Sequence, residues 1–200
     1  MTDSAFQHRN LFLTRDGKAK YLTIPFNRKG YLRRPLRDLE ITDPGWSTGH
    51  LNFITNNYGR HPFYRQIFPV VEPLFRKRYD RLLDPIMESM RLSMECFGID
   101  ARIIFQSSLD YDRAARKGDL VMELLRANGA RCYLSGAGAK SYLDESKFGT
   151  DIKLLYDDFE HPVYPQINTE RFAVGLSCLD VLFNIGRDEA SKLFSGSAAK

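Results

Sequence analysis

The pattern of the chain changes at Gly98. Before it, apolar residues recur at helical spacing: Leu82, Ile86, Met90, Met94 and Phe97 make one stripe, and Gly98 is placed to end it. After it, short apolar runs at residues 101–106, 131–134 and 152–156 alternate with helical patterns at 120–127 and 139–144. Strand and helix in alternation predict a parallel sheet with helices packed on it. In such a sheet, ligands sit beyond the carboxyl ends of the strands, so the loops that follow the strands decide the functional question.

The first part of the chain predicts different elements. Residues 10–14 and 20–24 are rich in strand formers and flank Asp16-Gly17, a hairpin signal. Asp43 can cap a helix with Pro44 in its first turn, and His61-Pro62 opens another, which Pro69 and Pro73 are expected to break or kink. Near the end, residues 179–185 predict an apolar helix for which Ser177 is a cap. The expected fold class is therefore α/β: one domain over residues 1–195 with a mostly parallel sheet flanked by helices, plus an N-terminal β-hairpin and a helical segment. Residues 196–200 read as a loose tail.

Composition narrows the class. At 200 residues, 43% hydrophobic and 27% charged, the chain is an ordinary globular one, which excludes disorder, collagen and coiled coil. Cys96, Cys132 and Cys178 have no paired spacing and read as buried thiols in a reducing compartment. The sequence contains no window of about 18 apolar residues and no signal-peptide core, so no transmembrane segment and a cytoplasmic location are expected. Residues 1–80 carry 14 Lys/Arg against 7 Asp/Glu, and the remainder 15 against 18. That basic half could steer a nucleotide, RNA or a lipid headgroup, although a solvated basic face is the plainer reading.

Among the loops, Ser135-Gly136-Ala137-Gly138 is the most suggestive chemically. A strand, glycines that permit close backbone approach and a helix N-terminus together bind phosphate or carboxylate; a tight turn that needs glycine only for sterics is the alternative. Ser107 and Ser108 offer ligand hydrogen bonds without the surroundings of a serine nucleophile. His50 lies one helical turn after Trp46, on the same face, and is the first choice for an acid/base or ligand-binding histidine. Asp144 and Asp180 could orient a cation or an amine, or serve as surface residues or caps. Tyr164 and Gln166 belong to a proline-fixed loop suited to a cleft wall or lid, or to covering a sheet edge. The four histidines have no metal-ligand spacing, so neither a metal nor a cofactor is expected.

Taken in order, several pieces carry a resemblance: His8-Arg9-Asn10 before the first strand, Trp46 with His50, Asn57-Tyr58 with Pro62, and Ser107-Ser108-Leu109. Tyr133 to Ala139, Tyr142-Leu143-Asp144, the run His161 to Gln166, and Asp180 to Gly186 continue it. The chain resembles the WbqC-like family over nearly its whole length to Gly186.

That resemblance implies a role in bacterial O-antigen or other surface-polysaccharide biosynthesis, with glycine, aminoacyl or acyl transfer onto an amino sugar. The implied partners are a nucleotide-linked sugar and an activated acyl or aminoacyl donor; nucleic acid is not the expected partner. Under it, His50 and Asp144 are the catalytic candidates, and Asn10, Ser107, Ser108, Ser135, Gly136, Gly138, Tyr164 and Gln166 the substrate-binding ones. It also implies a strand ending in His-Gln-Pro, a helix and an acidic strand ahead of the segment matching His8. Met1 lies just ahead of that point, so an N-terminally truncated chain, prone to self-association, is expected. A non-catalytic RNA- or nucleotide-binding module and an inactive fragment of such an enzyme are the alternatives.

Overall fold

A computed structural model describes residues 7–197. In chain order its elements are β1 (Arg9–Leu13), β2 (Ala19–Thr23), α1 (Trp46–Tyr58), α2 (Tyr64–Arg76) and α3 (Leu83–Phe97). Then come α4 (Lys117–Ala127), β3 (Cys132–Gly136), β4 (Lys153–Asp157) and α5 (Cys178–Ser197), with short 3-10 turns between some of them. Two compact units emerge, one of Met1–Asp100 with His161–Lys200 and one of Ala101–Glu160.

In the first unit, β1 and β2 form the expected antiparallel hairpin, with Asn10 opposite Leu22 and Phe12 opposite Lys20. Gly17 turns it with φ 79°, and a Cβ there would stand 2.7 Å from the Asn168 carbonyl oxygen, so this position requires glycine. Phe12 packs edge-on against Phe53 and Tyr58 of α1. Asp43 accepts from the Gly45 N–H at 2.8 Å just ahead of α1. Gly98, in the left-handed region, stops α3 and lets the Ile99 N–H reach the Met94 carbonyl at 2.8 Å.

Helix α2 does not break at its prolines. Ile67, Val71 and Phe75 recur every four residues and are all buried, whereas Pro69 and Pro73 are exposed. The carbonyls that the two prolines leave unbonded, those of Arg65 and Pro69, belong to solvent-facing residues and can take water instead, so packing overrides the local penalty. Helix α5 opens at Cys178, with the Leu179 N–H 3.4 Å from the Ser177 hydroxyl oxygen, and is kinked at Gly186 (φ 79°, ψ 177°). It continues to Ser197; residues 198–200 of the expected tail lie outside the described residues.

The second unit corrects the expected sheet. Strands β3 and β4 are parallel neighbours, with Leu134 opposite Leu155, but they form a two-stranded sheet of their own. Residues 101–105 form no strand, and Gln106–Ser108 is a 3-10 turn. Their side chains are exposed or half-buried, so no sheet burial rewards extension there. The helix expected at 139–144 is a 3-10 turn at Ala137–Ser141. The unit's core is Met122, Ala139, Leu143, Phe148 and Ile152. On β3 and β4, Tyr133, Ser135, Leu154 and Tyr156 face this core, while Cys132, Leu134 and Leu155 are left outside. Cys132 is therefore exposed, contrary to expectation, whereas Cys96 is buried.

Candidate functional site

A cavity of about 320 Å³ opens within the first unit, between the hairpin, helices α1 to α3 and the start of α5. That size falls in the range of small-molecule sites. Most of its wall is apolar, with Phe12, Leu22, Trp46, Val71 and Phe75 among the contributors. Its polar groups come from three places: Gln7, His8, Arg9 and Asn10 around the start of β1, His50 on α1, and Ser89 and Ser93 on α3 facing Ser177 and Cys178.

His50 is half-buried, and its ring lies nearly perpendicular to that of Trp46 at a centroid distance of 5.0 Å. Nε2 is 3.1 Å from the Thr23 carbonyl oxygen. A carbonyl only accepts, so Nε2 carries the proton and the lone pair sits on Nδ1. Burial lowers the pKa to about 4, with the Thr23 hydrogen bond opposing, so the ring is neutral at pH 7. The Cys178 sulfur lies 3.2 Å from the Ser93 hydroxyl, and burial raises its pKa, which keeps it a thiol.

Of the residues singled out from sequence, His50 and Asn10 come together on this cavity. Tyr164 and Gln166 instead serve the interior. The Tyr164 hydroxyl donates to Asp180 Oδ2 at 2.8 Å, and the Tyr58 hydroxyl donates to Oδ1 at 2.9 Å while accepting from the Leu13 N–H. Asn184 donates to Oδ2 at 3.2 Å, and the Gln166 side chain bonds both the carbonyl and the N–H of Ala173. Asp180 is only 1% exposed, and burial raises its pKa. It is a buried carboxylate satisfied by neutral donors, neither a surface residue nor the holder of a cation among the described residues.

Ser107, Ser108, Ser135, Gly136, Gly138 and Asp144 lie in the second unit. Asp144 is exposed and caps the Glu145–Phe148 turn, accepting from the Ser146 N–H at 3.1 Å; the Ser146 hydrogen bond lowers its pKa. Ser107 and Ser108 are exposed, and the Ser108 hydroxyl donates to the Phe105 carbonyl at 2.8 Å. Ser135 is buried. Gly136 and Gly138 have negative φ, and a Cβ on either would meet nothing within 4 Å. Local sterics therefore do not demand glycine at these positions. The five-residue 3-10 turn that follows Gly136 and contains Gly138 is too short to build the dipole of a true helix N-terminus.

Sequence reasoning missed the other polar wall of the cavity. Ser89, Ser93 and Cys178 carry no local motif and acquire meaning only when α3 and α5 converge. His8 and Arg9 had a visible signal, since His8 directly precedes β1 and Arg9 opens it.

Residues 1–192 match the model of the WbqC-like protein family, and the chain belongs to that family. It is similar to the uncharacterized protein Rv1507c of Mycobacterium tuberculosis, with 27% identity over 191 residues, covering 94% of this chain and 80% of the relative. No solved structure matches it. Among the described residues no helix is long and apolar enough to cross a membrane.

Proposed function

We propose that the chain transfers an acyl or aminoacyl group to the amine of a nucleotide-linked amino sugar in surface-polysaccharide assembly. Membership in a family linked to O-antigen or polysaccharide biosynthesis supports the pathway class. The observation that carries the chemistry is His50, a neutral imidazole with its Nδ1 lone pair free of a proton, on the wall of a mostly apolar cavity.

Acyl transfer to an amine forms a C–N bond and breaks the bond from the carbonyl carbon to the donor's leaving atom. The amine nitrogen must shed a proton as it attacks, and that proton becomes acidic as the bond forms. His50 Nδ1 accepts it and returns it to the leaving group, while the Thr23 carbonyl holds the ring in one tautomer. Burial makes this base weak. The negative charge of an entering substrate favours the imidazolium and strengthens it. Asn10 and the Ser89 and Ser93 hydroxyls supply neutral groups with which to orient the reactants.

The test is a mass-spectrometric search for N-acylated product after incubation with activated acyl or aminoacyl donors and nucleotide-linked amino sugars. A product that appears with this protein and disappears with His50→Gln supports the reading. The absence of product across both donor classes counts against it.

A further inference from the structure

The cavity wall carries a charge pattern that the transfer reaction does not use. Among the described residues, Arg9 is the one formally charged residue on the wall, and no aspartate or glutamate lines it. Arg9 lies with its guanidinium 4.1 Å from the centre of the Tyr21 ring, and its Nε–H is buried without an acceptor among the described residues. His8, also on the wall, has Nε2 3.4 Å from Arg28 Nη2. Arginine only donates, so Nε2 accepts and the His8 proton resides on Nδ1. That Nδ1 is likewise buried with no partner among the described residues. Burial and the charges of Arg28 and Arg9 hold the ring neutral by lowering its pKa.

Two buried N–H groups thus lack an acceptor at one end of a cavity whose remaining wall is mainly apolar. Each such group costs about 1–3 kcal/mol while unpaired. The Gln7 amide beside them, whose Oε1 is also unpaired, can turn its NH₂ end toward an incoming oxygen. An anionic oxygen satisfies these donors, and a hydrocarbon chain satisfies the rest of the wall.

We propose that this cavity seats an acyl chain bearing an anionic head group, with the head at Arg9 and His8 and the chain along Trp46, Val71 and Phe75. The inference deepens the transfer reading by naming the donor class, and it rests on that reading for the ligand's role. Binding itself is tested separately. Trp46 is the protein's single tryptophan and lies on the cavity wall, so its emission reports occupancy directly.

The experiment titrates the full chain with decanoate, decanol and uridine diphosphate while following Trp46 fluorescence. Decanoate is expected to give a saturable change, with decanol at least about tenfold weaker, the worth of a charge-assisted hydrogen bond. Arg9→Gln should remove that preference and leave decanol binding unchanged. Ser89→Leu should fill the cavity and weaken both ligands, with melting curves confirming that each variant is folded. Equal affinities for decanoate and decanol, a preference that survives Arg9→Gln, or saturation by uridine diphosphate alone would overturn the proposal. Decanoate binding without transfer leaves this inference standing and counts against the reaction. Transfer from a chainless aminoacyl donor without decanoate binding does the reverse.

Discussion

Residues 7–100 and 161–197 enclose a broad aromatic core and a fully buried carboxylate, whereas residues 101–160 fold around five buried side chains and a two-stranded sheet. In the first unit, polar groups from distant segments close on one another: Asp180 gathers Tyr58, Tyr164 and Asn184, and Tyr58 in turn holds the Leu13 N–H. In the second, most polar contacts are local, as with Asp144 and Ser146, and Leu134 stays 61% exposed. The second unit has a pocket of about 500 Å³, but charged side chains such as Arg116, Asp119, Glu123, Arg126 and Lys147 wall it. The larger unit can keep an open, mostly apolar chamber, and that is where His50 sits.

The strongest way to break this contrast is at Asp180. Replacing it by alanine leaves the Tyr58 and Tyr164 hydroxyls without their acceptor, at a cost of roughly 4 kcal/mol, while the Asn184 amide keeps its bond to the residue-180 backbone carbonyl. Asp180→Asn keeps one acceptor oxygen and should lose about half as much. Urea unfolding of both variants measures the difference. An alanine variant as stable as the parent would show that the network does not hold the larger unit together.

Gly186 comes next. Its φ of 79° and ψ of 177° suit glycine alone, and a Cβ would meet the Phe63 ring at 2.6 Å. Gly186→Ala should cost about 2–3 kcal/mol in thermal or urea unfolding.

A pH titration of stability probes the same unit without mutation. Burial lowers both His50 and His61 to about 4 from the ordinary 6.5. Above pH 6.5 these rings are neutral in both states. As pH falls from 6.5 toward 4, the unfolded chain binds protons that the folded rings refuse, so stability drops across that window. His8 acts in the same direction, while Asp180, raised by burial, takes up its proton earlier when folded and offsets part of the loss. Urea unfolding at pH 4 against pH 7 should show a net loss of stability.

The smallest effect on stability belongs to the second unit. Gly138→Val points its side chain into open space and should shift unfolding by no more than about 0.5 kcal/mol. Its affinity for a nucleoside diphosphate should nonetheless fall severalfold if the backbone there meets phosphate. Unchanged affinity in calorimetry would show that the Ser135 to Gly138 loop does not bind phosphate.

The elements legible in the sequence were those governed by local chemistry. Asp16-Gly17 marked the hairpin, Asp43 the start of α1 and Gly98 the end of α3, because turn and cap geometry depends on neighbouring residues alone. Residues 101–106 misled, since an apolar run becomes a strand only when a partner edge and a covered face await it. Pro69 and Pro73 misled in the opposite sense, their penalty being absorbed by solvent on the outer side of α2. His50 was legible through its spacing from Trp46. The α3 serines and Cys178 as cavity residues were not, since a cavity is made by elements that meet only after folding.

The central claim is that the chemistry of this protein takes place at His50 in the cavity of the larger unit. The most direct test is the turnover number of His50→Gln in the acyl-transfer reaction, measured at saturating substrates on a variant whose melting curve matches the parent's. Loss of a general base should lower it by about 10²–10⁴-fold. A turnover number within threefold of the parent's would contradict the claim and place the reaction elsewhere on the chain.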